Sequence, residues 1–120
     1  MKKPSDLFTE AMLSGNIKEV KRIIKTTKIN PEDLDNWAIC NASNNGYLNL
    51  VKYLATFDKV DPSADDNCAI ILAFERGHSN VVDFLWNIDI VSSTLKYSRF
   101  KNSAKKIISL YAVNDKLNNF

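Results

Sequence analysis

Scarcity narrows the possibilities first. The chain of 120 residues holds three glycines, three prolines, two cysteines and one histidine. Glycines this few and this far apart leave no loop able to cradle a phosphate. Cys40 and Cys68 are too few for a disulfide framework and lack CxxC spacing or a nearby histidine that would suggest zinc. Both are expected to be reduced, partly buried and in effect small apolar residues. The longest clear apolar run, residues 69–74, falls far short of the roughly 18–20 residues that span a bilayer. Met1-Lys2-Lys3 leads directly into Pro4-Ser5-Asp6, without the apolar core of a secretory signal. A cytoplasmic protein, with no membrane among its partners, is therefore expected. No nucleophile stands beside a base and no metal-ligand cluster is visible, so catalytic residues, metals and cofactors are not expected.

Net charge is also small, at +2, but its distribution is uneven. Residues 1–30 balance to +4, residues 31–93 to −7 and residues 94–120 to +5. The acidic middle argues against a uniformly basic nucleic-acid footprint.

What the chain does contain is a repeat. The stretch 36–54 recurs in pattern 31 residues later over 67–85, and a weaker copy lies 31 residues earlier. Ala11, Ala42 and Ala73 share one slot of this lattice, and Gly15, Gly46 and Gly77, the only glycines present, share another. Self-similarity at a fixed period of this size marks a repeat architecture.

Taken in order, Leu7, Phe8, Ala11 and Met12 have helical spacing, with Ser5 or Asp6 placed to cap the first turn. Asn16-Ile17-Lys18-Glu19 has the form of a capping box, in which Glu19 would reach back to the cap. Ile17, Val20, Ile23 and Ile24 then make one apolar stripe, matched by Leu50, Val51, Leu54 and by Val81, Val82, Leu85. The segments 28–35 and 59–66 carry proline turn chemistry. Asn36 and Asn67 are expected to cap helices, the lattice alanines to mark close helix approach, and the glycines to supply positive φ. Two short helices cannot bury both their stripes alone, so the pairs must stack. After Ser92, the residues Leu95, Phe100, Ala104, Ile107, Ile108 and Tyr111 predict a longer capping helix. Its lysine-rich outer face (Lys96, Arg99, Lys101, Lys105, Lys106) suits the end of a stack. The tail from Asn114 is expected to fray.

The string Ala-Ile-x-x-Ala-x-x-x-Gly-[Tyr/His]-x-x-x-Val-x-x-Leu resembles the helix-turn-helix heart of an ankyrin repeat. The resemblance covers residues 5–93 as three units, with Ile39 and Ile70 in the slot of the family's conserved leucine and Gly77-His78 in that of its Gly-His pair. The period of 31 is shorter than the family's usual value of about 33. It implies an all-α, ankyrin-like helix-turn-helix solenoid with abbreviated connecting fingers in place of long β-hairpins. The expected divisions are repeats over about 5–35, 36–66 and 67–93 and a capping helix over about 94–112.

The resemblance implies protein binding through the finger tips and the first-helix face, and no catalysis. The candidate partner-binding residues are Asp33, Asn36, Trp37, Asn44, Asn45 and Tyr47, then Asp65, Asp66, Glu75, Arg76 and His78. Each has a plainer reading. Asp33, Asp35, Asp61, Asp65 and Asp66 could form an acidic ridge facing a basic partner, yet aspartate is also what turns prefer. Trp37 and Tyr47 could be aromatic anchors, yet Trp37 equally suits packing between repeats. Asn44, Asn45, Glu75 and Arg76 could simply be solvated. His78 suits a turn-stabilising role better than that of a general base. Phe84 and Trp86 suit core or cap packing. A monomer beginning at Met1 is expected to act alone, as an adaptor or inhibitor occupying another protein's surface. The rival reading is a nucleic-acid-associated protein using the basic C-terminal helix.

Overall fold

The computed structural model describes residues 2–34 and 36–118. Among them there are eight α-helices, two 3-10 turns and no strand. Three pairs of helices follow one another: α1 (Pro4–Ser14) with α2 (Ile17–Thr27), α3 (Trp37–Asn44) with α4 (Leu48–Leu54), and α5 (Ala64–Glu75) with α6 (Ser79–Trp86). Then come the short α7 (Asp89–Thr94), a 3-10 turn (Leu95–Tyr97) and the long α8 (Lys101–Asn118). The first helices form one layer, α1 against α3, α3 against α5 and α5 against α8, while α4 packs on α6. Stacking in one direction makes the molecule elongated, 57 × 26 × 25 Å.

The three turns inside the pairs are copies of one another. Gly15, Gly46 and Gly77 have φ of 71°, 74° and 80°, a region costly for any residue with a Cβ. In each, the next amide bonds back to the lattice alanine: Asn16 N to Ala11 O at 3.0 Å, Tyr47 N to Ala42 O at 3.0 Å and His78 N to Ala73 O at 2.8 Å. These bonds satisfy carbonyls that the helix end would otherwise leave without a donor. Ala11, Ala42 and Ala73 are buried, as expected of small residues where first helices pack.

The stripes of the second helices are the core. Val20, Leu50, Val51, Leu54, Val81 and Leu85 are essentially without exposure, as are Ile39, Ile70 and Ile71 on the first helices. The lattice also repeats on the outside of the second layer. The Lys21 ammonium lies 5.1 Å from the centre of the Tyr53 ring, and Lys52, one period on, lies 5.9 Å from that of Phe84.

Several local expectations need correction. α1 begins with Pro4 in its first turn and Lys3 as cap residue, because proline has no amide to satisfy there; Ser5 and Asp6 lie inside that turn. Asn16 does cap α2, accepting from Glu19 N at 3.1 Å. Glu19, however, turns outward to Arg22, whose Nε donates to its Oε2 at 3.0 Å. Asn36 precedes α3 and Asn67 closes a kink of non-helical residues 65–67 within α5, and neither side chain makes a cap bond. Both are left-handed, and Asp65 and Asp66 share that conformation at φ 53° and 59°. Asn and Asp enter this region more readily than other residues with a side chain. The two asparagines instead make long-range ties, one within the second unit and one from the third unit to the cap: Asn36 Oδ1 accepts from Asp61 N at 2.7 Å, and Asn67 Nδ2 donates to Thr94 Oγ1 at 3.0 Å.

The cap also differs in detail. The helix expected over 94–112 begins at Lys101 and continues to Asn118. Leu95 belongs to the preceding 3-10 turn, where it is fully buried. Ser98 is extended (φ −63°, ψ 141°) and separates the two elements. Its hydroxyl donates to Asp66 O at 2.7 Å and accepts from Phe100 N at 3.1 Å. Ala104, one period after Ala73, is buried beside Ile107, so α8 occupies the place of a fourth first helix. Trp86 stacks on Tyr111 of that helix, with centroids 4.6 Å apart and planes 11° apart.

Candidate functional site

Because α3 and α5 are related by the period, their exposed faces line up slot by slot. Trp37 and Cys68 share one slot, and Asn41 and Leu72 another, each pair 31 residues apart. Within a helix, successive slots are four residues apart, which sets them on one face. Between these two helices runs a groove of about 460 Å³. Trp37, Cys68 and Leu72 give it an apolar floor, Asn41 and Asn44 border it, and Asp65 stands at the finger end with Leu34. Trp37 is 38 % exposed, an indole available to a visitor. Asp65 is also exposed.

Three of the expected binding residues, Trp37, Asn44 and Asp65, meet in this groove. Others are engaged within the protein. Asn36 is committed to Asp61, as described. Asn45 bonds to its own helix, Nδ2 to Asn41 O at 3.1 Å. Asp66 pairs with Arg99 at 3.4 Å, and Glu75 accepts from Ser103 Oγ at 2.9 Å, so both face the cap. Asp33 and Arg76 are exposed. In the acidic ridge, Asp61 takes the role of a turn residue, its Oδ1 accepting from Ser63 N at 2.9 Å and Ser63 Oγ at 2.6 Å. Asp35 lies outside the described residues.

Tyr47 and His78, again one period apart, lie at the opposite, turn end of the stack and have equivalent tasks. The Tyr47 ring covers Gly15, and its hydroxyl donates to Leu13 O at 3.1 Å. The His78 ring covers Gly46, with Nε2 at 3.0 Å from Asn44 O. A carbonyl only accepts, so Nε2 carries the proton. Each ring thus clasps the turn of the unit before it. His78 is turn-stabilising in this geometry.

The structure also joins two residues that sequence reasoning had kept apart. The Cys40 and Cys68 thiols, both free, line the same groove and perturb each other. Cys68 is held below the usual thiol range, chiefly by the neighbouring Cys40, against the opposing effect of partial burial and of Asp65. Cys40 is raised, by the neighbouring Cys68 and by its burial. Since the thiolate is the nucleophile, Cys68 should be alkylated by iodoacetamide with a pH midpoint below the ordinary thiol value of about 8.5. Cys40 should stay unmodified in the folded protein. Peptide mapping after timed labelling at several pH values checks both. Equal labelling, or a Cys68 midpoint at the ordinary value, would contradict the geometry. The lattice held a clue, since Cys68 sits one helical turn before the slot of Cys40. Leu34, Cys40, Asn41 and Leu72 were likewise missed as groove residues, although the 41/72 slot pairing was available.

Among the described residues no helix is long and apolar enough to cross a membrane. Comparison with curated proteins and with solved structures returned no match. A family model described as ankyrin repeats (3 copies) matches residues 7–94. Ankyrin repeats are generally protein-interaction modules and typically non-catalytic. That match covers all three helix pairs, with their common turns and the close packing of their first helices, and the chain belongs to the ankyrin-repeat family.

Proposed function

We propose that the chain is a non-catalytic protein-binding module, an adaptor or inhibitor that holds a partner in the groove between α3 and α5. The observation that carries this reading is the exposed Trp37 beside Cys68 and Leu72, with Asp65 at the rim. An apolar floor with one anion at its edge suits a long side chain of a basic partner, its stem on the floor and its cation at Asp65. The −7 balance of residues 31–93 would speed such an encounter and make it sensitive to salt. Rigid stacked helices lose little conformational entropy on docking, which favours binding by a preformed surface.

The test is affinity capture from the native cell with quantitative mass spectrometry, comparing the natural chain with Trp37→Ala combined with Asp65→Lys. A partner recovered by the natural chain should be depleted at least about tenfold with the double variant, as expected for losing an aromatic anchor and a rim charge. Undiminished recovery, with the helical circular dichroism unchanged, would sink the groove reading.

The alternative reading, nucleic-acid association, draws on Lys101, Lys105 and Lys106, which are all exposed on α8. Reversing these three charges should leave capture of the protein partner unaltered. Retention on single- or double-stranded nucleic acid that vanishes with the reversal would favour the alternative.

A further inference from the structure

Two of the three equivalent turns are clasped by the unit that follows, and the third is open. A methyl built on Gly15 would lie 2.8 Å from the Tyr47 ring and one on Gly46 2.5 Å from His78, whereas one on Gly77 would meet nothing within 4 Å. The reason lies in α8. Position 108, one period after Gly77, is isoleucine, so the helix does not turn there and runs on to Asn118. Ser109, in the slot of Tyr47 and His78, therefore stays on the helix and brings no ring back to the turn. Left between α8 and the third turn is a pocket of about 270 Å³, walled by Phe74, Val82, Leu110 and Tyr111. Its size is below that of most cofactor sites and suits one side chain.

We propose that this open turn is a docking site for a tyrosine side chain presented by a partner protein. The template is internal, and the pocket continues the same interface that joins each unit to the next. In both closed turns an aromatic ring lies on the glycine and donates to the carbonyl 34 residues before it, Leu13 for Tyr47 and Asn44 for His78. The equivalent carbonyl at the third turn is Glu75, and no donor among the described residues meets it. The walls supply two aromatic neighbours, Phe74 and Tyr111, and ring contacts of this kind add to simple burial. Leu110 is 54 % exposed, apolar area that an incoming ring would cover.

Polarity at the rim selects the ring. The slot occupied by Lys21 and Lys52 in the earlier units holds Asp83 in the third, and Asp83 accepts from the Tyr111 hydroxyl. Burial, together with that bond, pushes the Tyr111 phenol up, so its proton stays committed to Asp83 and is not offered to an incoming ring. A neutral phenol that donates is complementary to this rim, and an anionic phosphotyrosine is not. The site is at the turn end of the stack, away from Trp37 and Asp65, and does not depend on the groove reading.

The test uses the whole chain, N-acetyltyrosinamide as probe and N-acetylphenylalaninamide as the same ring without its hydroxyl, followed by amide NMR. The tyrosine probe should shift the signals of Gly77, His78, Ser79 and Val82 in a saturable manner. The phenylalanine probe should bind about fivefold more weakly, the factor one hydrogen bond confers. Ser79→Phe, whose ring fills the pocket from the first turn of α6, should weaken the tyrosine probe at least about tenfold. If that variant loses helical signal, Leu110→Trp on the facing helix replaces it. No saturable shift at the third turn, equal affinity for the two probes, or binding unaffected by the filled pocket would overturn the proposal.

Discussion

Replacing Ile70 with alanine is expected to lower the unfolding free energy by about 4 kcal/mol, within the range for emptying a fully buried aliphatic site. Ile70 is without exposure and lies on α5, which packs against α3, α6, α7 and α8. With four helices packed on α5, little of the cavity can collapse. A stack gains its stability from contacts between adjacent units, and α5 belongs to the contacts on both of its sides. Urea unfolding followed by circular dichroism measures the effect as a fall in midpoint at constant slope. Ile90→Ala is the comparison, since Ile90 is 48 % exposed, and it should change stability by no more than about 0.5 kcal/mol. A similar cost for the two substitutions would mean that α5 is not the packed centre of the stack.

Alanine at Gly46 is expected to cost about 3 kcal/mol, and alanine at Gly77 about 1–2 kcal/mol, although the two glycines have nearly the same backbone. The shared part is the strain of a Cβ in a left-handed conformation. The difference comes from the next unit. At Gly46 the methyl would lie 2.5 Å from His78 Nδ1, so the imidazole must move and give up its bond to Asn44 O. That strands a carbonyl and removes ring packing, worth about 1–2 kcal/mol together. At Gly77 the methyl enters the open pocket, where strain alone acts. The same urea measurements, made on both variants, isolate the contribution of the clasp as their difference. Equal costs would show that the His78 ring contributes nothing to joining the second and third units.

These two predictions rest on different amounts of sequence information. The glycine turns, the alanine slots and the stripes from Val20 to Leu85 were legible because each unit repeats the same local demands: positive φ, close approach, one buried face. The fold class followed directly, since equal units with one apolar face each have to stack. The groove was only half legible. Trp37, Asn44 and Asp65 were named from their slots, but Cys40, Asn41, Cys68 and Leu72 were not. Whether a half-buried residue on a first helix points into the groove or into the next helix depends on the rotation of two helices about their axes. Periodicity does not specify that rotation. The outward turn of Glu19 and the long-range bonds of Asn36 and Asn67 were illegible for a similar reason, because a polar side chain chooses among partners that only packing brings within reach.

By itself, then, the order of residues determined the repeat length, the turns, the composition of the core and the membership of a stacked helical family, since these depend on neighbours within one unit. Tertiary structure alone decided that the two thiols share one groove, where that groove opens, and that two turns are clasped while the last is not. The physical reason is reach: contacts between units are made by side chains some thirty residues apart, and their meeting depends on how one helix lies against the next and on how far α8 runs before it ends.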